Sequence, residues 1–322
     1  MLIDNSLSRG FAKDFIRECD SQGTEEIARF SRKLKPINHY RKWGPKLVIP
    51  FKENFKRSSI WAYEGGGRRH PYLAAVMLAS AKHRLYKDWT EDVLFATPLI
   101  FGFDPWIFEQ GDILFNVGEH AIRRLYMRSA LSKTIMDSRD VHCIAPELSL
   151  LALWTSFWTF VVGIKMKAVI GEISLVIPAK TGIFLGEFNV TERFVEIRTF
   201  VGDDQLTPDQ LAIKNVLLIA TGNLSDSPLS SGLALLKIGY EQRMLVITCG
   251  MIAAKLIPHI DLLARVFNRK LGGFEKKRES KILLGIALEE FSTFTTVALN
   301  DSINAVGYRK AEIIIRNYAG SR

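Results

Sequence analysis

The spacing of hydrophobic positions changes near residue 170. Before it, apolar residues recur at helical intervals. Residues 8–34 read as a helix with one polar and one apolar face. The run 72–87, YLAAVMLASAKHRLYK, reads as a helix because it is rich in alanine and has no breaker. Residues 118–136 predict a third helix and 146–165 a fourth, very apolar one. Between them, Pro36, Pro45, Pro50 and Gly65–Gly67 predict loops and short strands over 36–70. Pro98, Pro105 and Gly111 interrupt 89–117, where Asp104-Pro105 marks the start of a short helix.

After residue 170 the period becomes two. Glu172–Pro178, Ile183–Phe188 and Arg193–Val201 are short β-rich runs joined by the turn sequences AKTG and NVTE, which predicts an antiparallel meander. In the third run, alternation puts Val195, Ile197, Thr199 and Val201 on one face, and Glu196, Arg198 and Phe200 on the other. Thr207-Pro208-Asp209-Gln210 then carries a capping threonine, a proline at the first helical position and a glutamine three after the cap. A helix through Thr221 follows. The small polar stretch 222–232 is a boundary, and 241–269 and 278–318 read as mainly helical. The expected fold class is α+β: a helical layer on a short antiparallel β-meander, flanked by mainly helical N- and C-terminal regions. The expected division is a basic region over 1–90, an α+β module over 91–225 and a helical region over 233–322.

Composition narrows this picture without overturning it. The 322 residues are 48% hydrophobic and 24% charged, which is globular. Three widely spaced cysteines, Cys19, Cys143 and Cys249, contain no CxxC pair, so a reducing compartment and no zinc knuckle are expected. The N-terminus has early acids and no long apolar core, unlike a secretory signal. Leu148–Ile164 is 17 residues without a charge, at the lower limit of a membrane span. Its two tryptophans, Trp154 and Trp158, stand mid-segment rather than at the ends, where membrane interfaces place them. The expectation is a buried helix in a cytoplasmic protein, with membrane anchoring as the alternative.

Charge is concentrated. Residues 1–90 carry 18 Lys/Arg against 9 Asp/Glu, and the rest of the chain carries 25 of each, so the net +9 belongs to the N-terminal quarter. Aromatics interleave with these bases: Tyr40, Trp43, Phe51, Phe55, Trp61, Tyr63, Tyr72 and Tyr86. Bases neutralise phosphates and aromatic faces stack on unpaired nucleobases, which points to RNA. A solvated basic surface is the alternative. Arg41, Lys42, Lys56 and Arg57, with Arg68 and Arg69 after the glycine run, are the candidate nucleic-acid contacts. That run is neither a Walker loop nor GxGxxG.

The stretch 118–129, GEHAIRRLYMRS, carries the candidate chemistry. Residues four apart share a helix face, so His120, Arg124 and Arg128 form one line. Like charges in a row favour an anion lying across them. Histidine exchanges a proton near neutral pH, and arginine clamps phosphate oxygens in a planar fork. Arg123 and Arg198 are candidate assisting contacts, and Thr199 a hydroxyl that orients a phosphate or water. His70 and His142 read as ordinary capping or surface histidines. No HxH, HExxH or D-x-D cluster near a histidine appears, so neither a metal nor another cofactor is expected.

H-A-I-x-R-L-x-x-R, followed later by a strand–turn–strand ending in R-T-F-V, resembles toxin-type proteins of the RelE/barnase/EndoU/colicin class. The similarity is to phage- and plasmid-borne members opening with H-A-x-x-R-x-x-x-R, and it covers about residues 118–205. It implies a metal-independent ribonuclease from a mobile element or bacterial conflict system, with an antitoxin or immunity protein as partner. The matching positions are His120, Arg124, Arg128 and, more loosely, Thr199. The apolar segment 148–164 interrupts the pattern, and the flanking regions have no counterpart in a small toxin. A protein that grips nucleic acid without cutting it, or one in which 118–129 is a solvated face, would use the same residues.

Overall fold

The computed structural model describes residues 3–34, 59–65, 72–86, 89–103, 106–110, 113–128, 135, 137–138, 140–165, 172–189, 194–221, 249–250, 252–267, 281–282, 284–290 and 292–293. The architecture is α+β. Its helices are α1 (Asn5–Leu34), α2 (Glu119–Arg128), α3 (Ala145–Lys165), α4 (Pro208–Thr221) and α5 (Ile260–Phe267). Its strands are β1 (Ser59–Gly65), β2 (Tyr72–Tyr86), β3 (Trp89–Phe103), β4 (Trp106–Gln110), β5 (Phe115–Gly118), β6 (Glu172–Ala179), β7 (Gly182–Asn189) and β8 (Phe194–Gly202). They form one sheet in the order β1-β2-β3-β5-β8-β7-β6, with β4 paired to β3. All pairings are antiparallel except β5 with β8.

The expected meander is present as β6–β8, but it is one end of a larger sheet. The N-terminal region holds α1 and also adds strand to the sheet: it supplies β1, β2 and the start of β3, and residue 90 lies inside β3. The clearest correction is 72–87, expected as a helix and found as β2. Alanine favours a helix locally, yet β2 pairs with β3 along nearly its whole length and with β1 over Tyr72–Met77, hydrogen bonds that a local helix pattern does not foresee. Asp104 and Pro105, expected to start a helix, lie outside the described residues, between strands that pair at Phe103 and Trp106. The boundary 222–232 and most of the C-terminal region also lie outside them. Helix is found at 252–256, in α5 and at 284–290.

Other local signals hold. The Thr207 backbone N–H donates to Gln210 Oε1 at 3.0 Å and the Gln210 N–H to Thr207 Oγ1 at 3.3 Å, the reciprocal cap that starts α4. The apolar segment 148–164 forms most of α3. Leu148 and residues 150–158 are buried, and Trp154, Phe157 and Trp158 pack ring against ring. Among the described residues no helix is long and apolar enough to cross a membrane.

Two buried charges anchor the meander. Glu147 of α3 accepts hydrogen bonds from the Lys180 backbone N–H (2.6 Å) and Thr181 Oγ1 (3.1 Å) at the β6–β7 turn. Lys214 of α4 donates to the Lys180 carbonyl (3.1 Å) and to Asp203 Oδ1 (2.5 Å). Burial lifts the Glu147 carboxyl above its usual range, against the pull of those hydrogen bonds. These groups hold helices to the hairpin and have no part in the site described next.

Candidate functional site

The site forms where β5 gives way to α2. β5 runs parallel to the first half of β8, with Phe115 opposite Val195, Asn116 opposite Glu196 and Val117 opposite Ile197. At Gly118 the strand ends. The chain turns into α2 and packs against the second half of β8. Ala121, Ile122, Leu125 and Tyr126 are buried, and Tyr126 donates its hydroxyl proton to the Val141 carbonyl. The opposite stripe of α2 is half-buried and holds His120, Arg123, Arg124 and Arg128. Gly202 lets the end of α2 approach β8, because a Cβ there would collide with the Arg128 backbone oxygen.

Arg124 Nη1 donates to Thr199 Oγ1 at 3.0 Å, so the helix and strand candidates meet directly. Arg128 Nη1 donates to the Phe200 carbonyl at 3.3 Å, one residue further along β8. Arg123 Nη2 lies 3.1 Å from His120 Nδ1. A guanidinium only donates, so Nδ1 is the acceptor, and the neutral ring carries its proton on Nε2. Glu119, beside this row, pairs with Arg9 of α1 at 3.3 Å.

Thr199 reaches Arg124 because of a β-bulge. Leu185 pairs with Thr199 but Gly186 pairs with Ile197, so Arg198 is an extra residue in β8. The alternation expected from sequence reverses there. Val195, Ile197 and Phe200 share the buried face, while Glu196 and Thr199 share the other. Arg198, expected to assist at the phosphate, instead pairs with buried Glu187 and lies 3.9 Å from Glu196 Oε1. Its charge is compensated within the sheet.

The row is electrostatically strained. Burial lowers the His120 pKa first, and the charges of Arg124, Arg123 and Arg128 lower it further. Burial and the neighbouring guanidinium groups also lower that of Arg124. A histidine whose folded-state pKa is depressed contributes stability above its ordinary 6.5, and that contribution is lost as pH falls through the depressed value. The melting temperature of the wild type should therefore drop more steeply on acidification below pH 6.5 than that of His120→Gln. Parallel melting curves against pH would refute the depressed pKa.

His142, read from sequence as a capping or surface residue, is structural. Its ring lies 2.8 Å from Glu18 Oε2 and edge-on to Phe15, and its backbone N–H is capped by Asp140. It joins α1 to the turn before α3. Arg41, Lys42, Lys56, Arg57, Arg68, Arg69 and His70 lie outside the described residues.

Sequence reasoning singled out neither Asn116 nor Glu187. Asn116 is fully buried, and neither its amide nitrogen nor its oxygen has a hydrogen-bond partner among the described residues. One signal was readable: an asparagine between Phe115 and Val117, in a segment otherwise apolar. Comparison with known proteins gives no matching family model, no matching curated protein and no matching solved structure.

Proposed function

We propose that the chain acts on RNA as a metal-independent endoribonuclease of toxin-like type, with the scissile phosphodiester lying along the half-buried stripe of α2. The observation that carries this is the convergence of His120, Arg124 and Arg128 on one helix face, with Arg124 fixed against Thr199. Arg124 and Arg128 bind nonbridging phosphate oxygens. In the transition state they stabilise the added charge on pentavalent phosphorus. The bound phosphate also draws Arg123 away from His120, which frees Nδ1. His120 then takes the proton from the 2′-OH, O2′ attacks phosphorus, and the P–O5′ bond breaks. The departing 5′-oxygen takes a proton from the imidazolium or from water, which leaves a 2′,3′-cyclic phosphate. The 2′-OH is the nucleophile, so this chemistry itself calls for no metal.

A second reading, grip without cutting, is favoured by the same Arg123–His120 contact. While Nδ1 is engaged, every polar hydrogen of the stripe is a donor and no base is available. One experiment separates the readings. The full chain is incubated in EDTA with an oligoribonucleotide and with a matched oligomer carrying a single 2′-deoxy residue at the cut site. Cleavage of the first only, with a cyclic phosphate end, is expected. Binding of both with cleavage of neither establishes the second reading. Binding of neither at low salt removes both.

A further inference from the structure

We infer that the contact between Arg123 and His120 is a proton-operated latch: a proton on His120 opens it, releases Arg123 to the anion and tightens the hold of α2 on phosphate as pH falls. This rests on α2 as the phosphate-binding stripe proposed above, and it adds how that stripe is regulated.

The latch is read from the hydrogen bonds. Arg123 Nη2 lies 3.1 Å from His120 Nδ1. A guanidinium has only donors, so this bond exists only while Nδ1 holds a lone pair. A proton taken from solvent onto that lone pair turns the acceptor into a donor and sets two cations face to face. Bond and proton therefore exclude each other.

The three arginines of the stripe differ in what holds them. Arg124 is bonded to Thr199, and Arg128 to the Phe200 carbonyl. Among the described residues Arg123 has only the imidazole, and its Nε–H is buried without an acceptor. Glu119, one helical turn earlier, has the spacing of a carboxylate partner for Arg123. It pairs instead with Arg9 of α1. A guanidinium with one neutral partner and an unmet buried donor has the most to gain from an arriving phosphate.

The surrounding charges set the direction. Burial first, and then Arg124, Arg123 and Arg128, hold the His120 pKa below its ordinary 6.5. Among the described residues these are the charges that act on the imidazole, and all are positive. On the elements packed against α2, Arg9 is paired with Glu119, Arg17 with Asp14, Glu18 with His142, and Arg198 with Glu187 and, at 3.9 Å, Glu196. Lys13 of α1 and Asp92 of β3 are not among the charges acting on the ring, and β5 has no titratable side chain. A bound phosphate supplies the negative charge that the row lacks and draws Arg123 off Nδ1. Both effects raise the His120 pKa, so binding takes up a proton at any pH between the free and bound values. Affinity then rises as pH falls through the bound value and levels off below the free one.

The test uses the full chain and two anions that keep their charge from about pH 5 to 8, the range in which histidine titrates. One is sulfate. The other is a 2′-O-methyl oligo(U) 12-mer, which has no 2′-OH to cleave through. NMR follows the His120 ring protons against pH with and without sulfate, and fluorescence anisotropy follows the oligomer. In wild type, sulfate should raise the pH at which His120 titrates. Oligomer affinity should rise as pH falls by up to about tenfold per unit, the limit for one linked proton. His120→Gln keeps an acceptor for Arg123 but takes no proton, so it should lose that slope. Arg123→Gln removes the latch, so His120 should titrate at higher pH without anion and respond less to sulfate. Oligomer binding with the same slope in wild type and His120→Gln overturns the latch and leaves the RNA reading standing. A sulfate-induced shift of His120 without oligomer binding overturns the RNA reading and keeps the latch. Sulfate that leaves the His120 titration in place, or an Arg123→Gln protein whose His120 titrates as in wild type, overturns the latch.

Discussion

His120→Ala is expected to lower the rate of RNA cleavage by about 10²–10⁴-fold, the usual contribution of a positioned acid–base group, with RNA affinity nearly unchanged. The reason is geometric. His120 lies on the half-buried stripe of α2, opposite Ala121, Ile122, Leu125 and Tyr126, which carry the packing. Removing the imidazole therefore leaves the fold standing. Arg124→Lys should also be slow, because an ammonium cannot hold Thr199 and a phosphate oxygen with one planar fork. Thr199→Val keeps the strand and removes the acceptor, so it tests positioning: kcat should fall while KM changes little. Arg128→Ala should weaken binding at least as much as rate. The measurements are single-turnover cleavage and anisotropy on the same preparations. A fully active His120→Ala protein would return α2 to the status of a basic surface.

Trp158→Ala is expected to cost about 3–5 kcal/mol of stability, the range for deleting a large buried aromatic side chain. Whole domains are stable by only about 5–15 kcal/mol, so the variant should be close to unfolding at 37 °C. Trp158 is 0% exposed. Its ring centre lies 4.8 Å from that of Phe157, edge to face, and 5.8 Å from that of Trp154. Those contacts belong to the chain itself, so no partner is needed for the loss to register. Urea denaturation followed by tryptophan fluorescence and far-UV circular dichroism would read it. A variant within 1 kcal/mol of wild type would mean that α3 does not pack into this core.

The two outcomes probe different levels of the same sequence. Trp158 could be placed from sequence because a charge-free run with mid-segment tryptophans has few places to go except a core. His120, Arg124 and Arg128 could be aligned because helix periodicity is local and regular. Thr199 is legible as a candidate hydroxyl, but strict alternation assigns it to the face of Val195 and Ile197. Its side chain meets Arg124 only because Arg198 bulges out of the ladder opposite Leu185 and Gly186. A bulge is a property of two strands in register, and the single strand RFVEIRTFV carries no mark of it. The partner of Arg198 is hidden from the sequence for the same reason: the carboxylate it pairs with, Glu187, comes from the neighbouring strand.

The sequence by itself determined the elements whose signals are complete within a few residues. These are the capping box at Thr207, the meander with its turns, the apolar helix α3 and the amphipathic stripe of α2. Each rests on contacts between residues close in the chain, where spacing fixes geometry. Tertiary structure alone decided that 72–86 is a strand, that β5 lies parallel to β8, and that Asn116 stands in line with Glu196 and Glu187. Those outcomes depend on hydrogen bonds and burial supplied by segments far away in sequence. A backbone donor or a buried amide is indifferent to where in the chain its surroundings come from, so no local pattern records them.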